Sequence, residues 1–182
     1  MVTAPDASSS DPRSDLIDVS HGRGASHVDT WERSALRCRI SPGDNVLESP
    51  GGGRTLTALL AALAGWVTVI EERAERLAAL RAHLGVCGWP NVTLAPRLGT
   101  GGAISPYDVV VAPWPTSDGL RLEQLASLAE RRIILHGPLT EGGLDELRAT
   151  AQALDLDVTL ERPTAHTGEP RAIVTLDVHR NR

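Results

Sequence analysis

Ser41 to Glu72 reads SPGDNVLESPGGGRTLTALLAALAGWVTVIEE, and the fold turns on this stretch. Ser41-Pro42-Gly43-Asp44 has the composition of a turn. Asn45–Glu48 (NVLE) predicts a short strand, and Pro50–Arg54 (PGGGR) is the loop after it. Leu56, Leu59, Leu60 and Leu63 recur at i, i+3, i+4 and i+7, the spacing of one helix face. Gly65 ends that helix. Trp66–Ile70 (WVTVI) predicts a second strand, closed by Glu71 and Glu72.

Strand, glycine loop, helix, strand and terminal acid together make a Rossmann-like, nucleoside-binding layout. In such sheets a ligand sits at the carboxyl ends of the strands, near the switch in strand order. Gly51, Gly52 and Gly53 would let the backbone approach it, and the following helix presents free N–H groups. Glu71, ending the second strand, can accept hydrogen bonds from both hydroxyls of a ribose. The plainer reading makes the glycines a tight turn and Glu71 a solvated strand end.

Outward from this unit the pattern repeats. Leu77, Leu80 and Leu84 set a helix that stops near Gly85, and Val92–Ala95 is a third strand. Asp108–Ala112 (DVVVA) is a fourth, its unbroken apolar run implying burial on both faces. A helix around Leu122 and Leu125, a fifth strand at Ile133–Leu135 and a helix over Leu144–Leu154 follow. Val158–Glu161 and Ala172–Val178 have no helix between them, so they predict a terminal antiparallel pair. The expected fold is α/β: a seven-stranded, mostly parallel sheet with helices on both faces. Before the first strand, His21–Ser26 (HGRGAS) is a glycine-bearing loop and Val28–Arg39 a helix. Residues 1–18, rich in Ser, Pro and Asp, read as a disordered polar tail, leaving 19–182 as one domain.

Composition narrows the function classes. A chain of 182 residues can bury a proper core, here built without Phe and with much Ala, Leu and Val. A net charge of −5 argues against a sequence-independent nucleic-acid binder. The longest apolar stretch, Leu56–Ile70, is too short to span a bilayer and contains Gly65. The polar N-terminus carries no leader-like apolar segment. Cys38 and Cys87 have no zinc spacing and read as buried or half-buried free thiols, in keeping with a cytoplasmic protein. The six histidines show no ligand spacing, so no metal is expected.

From Ser20 to about Leu139 the order of these features resembles the class I S-adenosylmethionine-dependent methyltransferases, and among them the protein-L-isoaspartate O-methyltransferases. SPGDNVLESPGGG resembles their first cofactor motif, typically PGDRVLEIGTGSG. LLAALAGWVTVIEERAERLAALRAHLGVCGWPNVTL is similar to its continuation, and SPYDVVVA to the fourth-strand motif. HGRGASHV is similar to the substrate-side loop GQTISQP. The resemblance implies S-adenosylmethionine as cofactor, held by Glu48, Gly51, Gly52, Gly53 and Glu71. It also implies Ser26 as the residue that orients the acceptor, although a helix N-cap explains Ser26 as well. The chain departs from the pattern at Pro50 and Arg54, where the family has glycines. It departs again at Leu98, where the family has an acid for the adenine amino group, and at His27 and Val28, which replace Gln-Pro.

Methyl transfer from a sulfonium is an in-line displacement that positioning alone can catalyse, and a carboxylate acceptor needs no general base. Trp114, in Pro113-Trp114-Pro115 just past the fourth strand, is placed to stack on a substrate or wall off water; ordinary loop packing is the alternative. His27 and His136 are candidate bases for a hydroxyl or amine acceptor, against a reading as ordinary hydrogen-bonded histidines. The expected function is therefore methylation of a carboxylate or other oxygen nucleophile on a small molecule or peptide. The rival is a catalytically silent relative that binds a protein partner. A nicotinamide oxidoreductase is a distant third, since no regular GxGxxG is present.

Overall fold

The structure is a computed structural model, and it describes residues 30–51, 53–98, 106–114, 121–138, 140–162 and 171–179. The proposed tail, the His21–Ser26 loop, His27 and Gly52 lie outside the described residues. The described residues form five helices and seven strands, in the order α1 (Thr30–Arg37), β1 (Asn45–Glu48), α2 (Arg54–Leu63), β2 (Trp66–Ile70), α3 (Ala74–Cys87), β3 (Val92–Ala95), β4 (Tyr107–Pro113), α4 (Leu122–Leu128), β5 (Ala129–Pro138), α5 (Glu141–Ala153), β6 (Leu156–Glu161) and β7 (Arg171–Val178).

The strands form one sheet in the order β3-β2-β1-β4-β5-β7-β6. The pairs from β3 to β5 are parallel, and β7 pairs antiparallel with both β5 and β6. The expected α/β class and the terminal antiparallel pair are both present. Strand order reverses between β1 and β4, which puts a crevice at their carboxyl ends.

Alternation along each strand splits the core in two. Leu47, Ile70, Val110, Ala112, Ile133 and Leu135 face α4 and α5. Val46, Val67, Val69, Val109, Val111 and Ile134 face α1, α2 and α3. α1 is seated on its face by Arg39. The guanidinium donates to Thr175 Oγ1 (2.6 Å) and to Ala35 O (2.7 Å), and it pairs with Glu161. The turn before β1 is closed by Asp44, whose carboxylate accepts from Ser41 N (2.8 Å) and from Arg131 (2.7 Å).

Several boundaries differ from the sequence reading, among them those of α1, α3 and β5. α1 is described only from Thr30 and ends at Arg37, two residues before Arg39. α3 continues through Gly85 to Cys87. Gly88, at φ 67°, takes the left-handed cap instead, its N–H bonding Leu84 O at 2.9 Å. β5 runs well beyond Ile133–Leu135 because β4 and β7 flank it. Its charged start, Glu130-Arg131-Arg132, hid that length; Arg132 is neutralised across the sheet by Asp177 at 2.7 Å. Cys38 is exposed, correcting the buried reading, while Cys87 is half-buried. Among the described residues no helix is long and apolar enough to cross a membrane.

Gly85 offers a simple test of the α3 assignment. It lies within the last turn of the helix, and a Cβ there meets nothing within 4 Å. Gly85→Ala is expected to stabilise the protein by ~0.5–1 kcal/mol, through reduced entropy of the unfolded chain. Thermal unfolding reads it; a fall in the midpoint would mean that α3 breaks at Gly85 after all.

Candidate functional site

Four of the candidate residues converge where β1 and β2 end. Glu48 closes β1, opposite Val69 of β2 and Val111 of β4, and is 1% exposed. Its Oε2 accepts a hydrogen bond from Thr57 Oγ1 at 2.8 Å. Thr57 is itself fully buried in the first turns of α2, and its N–H bonds Gly53 O at 3.1 Å. One side chain therefore ties the β1 acid to the helix that follows the glycine loop.

Gly51 shows why the loop needs a glycine there. Its N–H donates to Ile70 O at 2.8 Å, lacing the loop to the end of β2. A Cβ at this position would stand 3.2 Å from Val69 Cγ1, 3.3 Å from Leu80 Cδ1 and 3.5 Å from Glu71 Cβ. Gly53 has φ 102° and leads into α2 without a side-chain cap. The first N–H groups of α2 are thus left for another acceptor.

Glu71 is 2% exposed, so it is no solvated strand end. Its N–H donates to Ala95 O of β3 at 3.0 Å, and its Oε1 accepts from Arg73 N at 2.9 Å. Oε2 is buried and has no hydrogen-bond partner among the described residues. A cation, Arg76 Nη1, stands off from Oε2 at 3.9 Å and is well exposed. A buried carboxylate oxygen without a donor is costly unless a donor arrives. A pair of ribose hydroxyls is a donor set of the right kind, so these residues fit a nucleoside cofactor.

The departures from the family pattern can also be placed. Pro50 is half-buried and joined to Ser49 by a cis peptide bond. Arg54 opens α2 and is exposed. Burial, and then the Arg54 charge, hold His83 on α3 below the usual histidine range. Leu98 is half-buried and packs on the core cluster that contains Leu47, Ile70 and Val110.

Trp114 belongs to a second group, at the carboxyl ends of β4 and β5. β4 lies two positions from β2 in the sheet, about 10 Å across. The Trp114 N–H donates to His136 O at 2.8 Å, and its half-buried indole packs on the same core cluster as Leu98. The indole Nε1 lies toward Gly143 in the first turn of α5, where Thr140 Oγ1 caps Gly143 N at 3.2 Å. Ser26, His27 and Gly52 lie outside the described residues, so their expected roles are neither joined to this site nor removed from it. A concavity of about 530 Å³ at the α3–β3 edge, lined by Leu84, Trp89 and Leu94, contains none of the candidates. Among the described residues no group of three or more His, Cys, Asp or Glu side chains is placed to hold a metal ion.

Sequence reasoning missed Thr57. The signal for Thr57 was a hydroxyl amid the leucines and alanines of α2. Thr57→Val keeps the shape and removes the donor, which should destabilise the protein by ~1–3 kcal/mol, whereas Thr57→Ser should retain most of the stability. Equal losses in the two variants would assign the effect to methyl packing and not to the Glu48 hydrogen bond.

Comparisons with known proteins agree with this geometry. No family model matches the chain. It is 33% identical over 109 residues to a protein-L-isoaspartate O-methyltransferase of Koribacter versatilis (strain Ellin345), covering 59% of this chain and 47% of that one. The chain thus spans about half the length of the curated relative it matches. Among solved structures it is similar to a precorrin-6y C5,15-methyltransferase from Geobacter metallireducens GS-15 (TM-score 0.68, 14% identity, 89% of this chain and 95% of that one). It is similar also to an S-adenosylmethionine-dependent O-methyltransferase from Thermotoga maritima (TM-score 0.67, 16% identity, 93% and 72%). At these identities the two structures establish the fold. The chain has a Rossmann-like methyltransferase fold, and over 109 residues its sequence is similar to a protein-L-isoaspartate O-methyltransferase, in keeping with the resemblance to class I S-adenosylmethionine-dependent methyltransferases.

Proposed function

We propose that this chain is an S-adenosylmethionine-dependent methyltransferase that methylates a carboxylate or other oxygen nucleophile on a small molecule or peptide, in the cytoplasm. The observation that carries the proposal is Glu71: a buried carboxylate oxygen without a donor among the described residues, beside Gly51, at the end of the strand next to the switch point of a methyltransferase fold. The isoaspartyl relative and the O-methyltransferase neighbour support an oxygen acceptor; the precorrin neighbour shows that the same fold carries other acceptors.

The cofactor, when bound, supplies a methyl group already activated on a sulfonium. The work left to the protein is placement. Glu71 accepts from the ribose hydroxyls, and Gly51 leaves room for the backbone to close on the ligand. The first turn of α2 offers N–H groups to the carboxylate end of the cofactor. Glu48, held by Thr57, sets an acceptor oxygen at the end of β1. Trp114 walls the acceptor side across β4 and excludes water there, and Ser26 orients the acceptor. With an oxygen anion as acceptor no residue has to remove a proton.

A second reading, a silent relative that binds a protein partner, is favoured by two specific residues: Pro50, which has no N–H to offer, and Leu98, which cannot accept a hydrogen bond. Titration calorimetry with S-adenosylmethionine and S-adenosylhomocysteine separates the two readings. Micromolar binding is expected. No binding up to millimolar ligand would remove the cofactor reading and direct the search to protein partners.

A further inference from the structure

We propose that His83 and Cys87 form a binding site for zinc or a like borderline-soft divalent cation, on α3 and independent of the cofactor reading. The two residues stand four apart in α3, so one helix face carries both. His83 Nε2 and Cys87 Sγ face each other at 3.8 Å. Both residues are half-buried, so a cation between them is partly shielded from bulk water and still reached from it. Neither residue takes part in the proposed methyl transfer. Cys38, the other cysteine, is exposed and lies just past α1.

The separation suits the ion. Zinc lies about 2.3 Å from a thiolate sulfur and about 2.0–2.1 Å from an imidazole nitrogen, and two such bonds at the tetrahedral angle hold the donor atoms ~3.6 Å apart. The 3.8 Å in the structure is a small side-chain adjustment from that value. A hard cation such as magnesium takes oxygen donors and has no match here. Cys87 is also the last residue of α3, and the last turn holds no basic residue, so the partial negative charge of the helix end favours a cation. The Arg54 charge reaches His83 and works against one. Arg54 is exposed, so water and salt screen that repulsion. Among the described residues no third His, Cys, Asp or Glu side chain completes the pair, so water fills the remaining positions. The affinity is then micromolar, well short of a closed four-ligand site. On binding, the S–H bond of Cys87 breaks, a sulfur–metal bond forms and the proton leaves to solvent; no electron is transferred.

The test titrates zinc and cadmium into the full chain carrying Cys38→Ser, which removes the exposed thiol, under a reductant that is not itself a thiol. A single equivalent of zinc is expected to bind with a micromolar dissociation constant by calorimetry, and cadmium to raise the ultraviolet charge-transfer band of a cadmium–thiolate bond. His83→Gln and Cys87→Ala should each weaken zinc binding by about tenfold or more, and Cys87→Ala should abolish the band. Magnesium should produce neither signal. Zinc should also slow the alkylation of Cys87 by iodoacetamide at least about fivefold, a readout that needs no variant of the pair and so holds even if one of them fails to fold. Zinc affinity in His83→Gln within about threefold of the reference protein would reduce the site to a free thiol and overturn the proposal. An alkylation rate that zinc leaves unchanged, or no cadmium–thiolate band, would overturn it too. Each of these outcomes leaves the cofactor reading untouched.

Discussion

Glu71→Ala is expected to weaken binding of S-adenosylmethionine and S-adenosylhomocysteine by at least about 1.5 kcal/mol, more than tenfold, from the loss of charge-assisted hydrogen bonds to the ribose. Glu71 differs from the other acids of its stretch. It is 2% exposed, while Glu72 beside it is exposed, and its Oε1 is already engaged by Arg73 N. Only Oε2 remains for a ligand. Folding should suffer less than binding, because the substitution also removes a buried oxygen that had no donor. Glu72→Ala is the matched control and should leave the affinity unchanged. Calorimetry on both variants, with thermal unfolding alongside, decides the point. Unchanged affinity in Glu71→Ala would sink the ribose assignment and with it the placement of the nucleoside.

Gly137→Ala should produce the largest loss of stability, about 3 kcal/mol or more. Gly137 has φ 141°, a region essentially restricted to glycine, and backbone strain there amounts to ~1–3 kcal/mol for any other residue. A Cβ would also stand 2.5 Å from the carbonyl oxygen of Trp114. Neither partner can yield easily. Gly137 is paired with Ala172 of β7, and Trp114 N is bonded to His136 O. For a domain of this length the loss corresponds to a fall of roughly 6–12 °C in the unfolding midpoint. Trp114 would be displaced at the same time, so any acceptor-side role of this residue is tested by the same variant. A midpoint within about 2 °C of the unaltered protein would show that the Trp114 main chain moves at little cost.

Glu71 and Gly137 also mark how far the chain could be read without coordinates. Glu71 was legible because its meaning lies in local order: an apolar five-residue strand, an acid at its end, a glycine loop one helix earlier. Gly137, two residues past the expected strand Ile133–Leu135, carries no local signal of its own. Its constraint comes from Trp114, a residue just past the end of β4. Thr57 was likewise hidden, since a threonine among leucines reads as a tolerated helix residue until Glu48 is found beneath it. Gly85 misled in the opposite direction. A glycine near the end of a periodic run is a fair stop signal, but a left-handed cap three residues later satisfied the helix end better.

By itself the sequence determined the class of fold, the number of strands, the terminal antiparallel pair and the glycine loop flanked by Glu48 and Glu71. These follow from hydrophobic period and turn composition, which act over a few residues and are written consecutively. The tertiary structure alone decided that Glu71 is buried with one oxygen left without a donor among the described residues, that Thr57 holds Glu48, and that Leu98 packs half-buried on the core. Each depends on which strands become neighbours. Strand order is set by the packing of two core layers on opposite faces of one sheet, and that packing brings together residues that no local pattern connects.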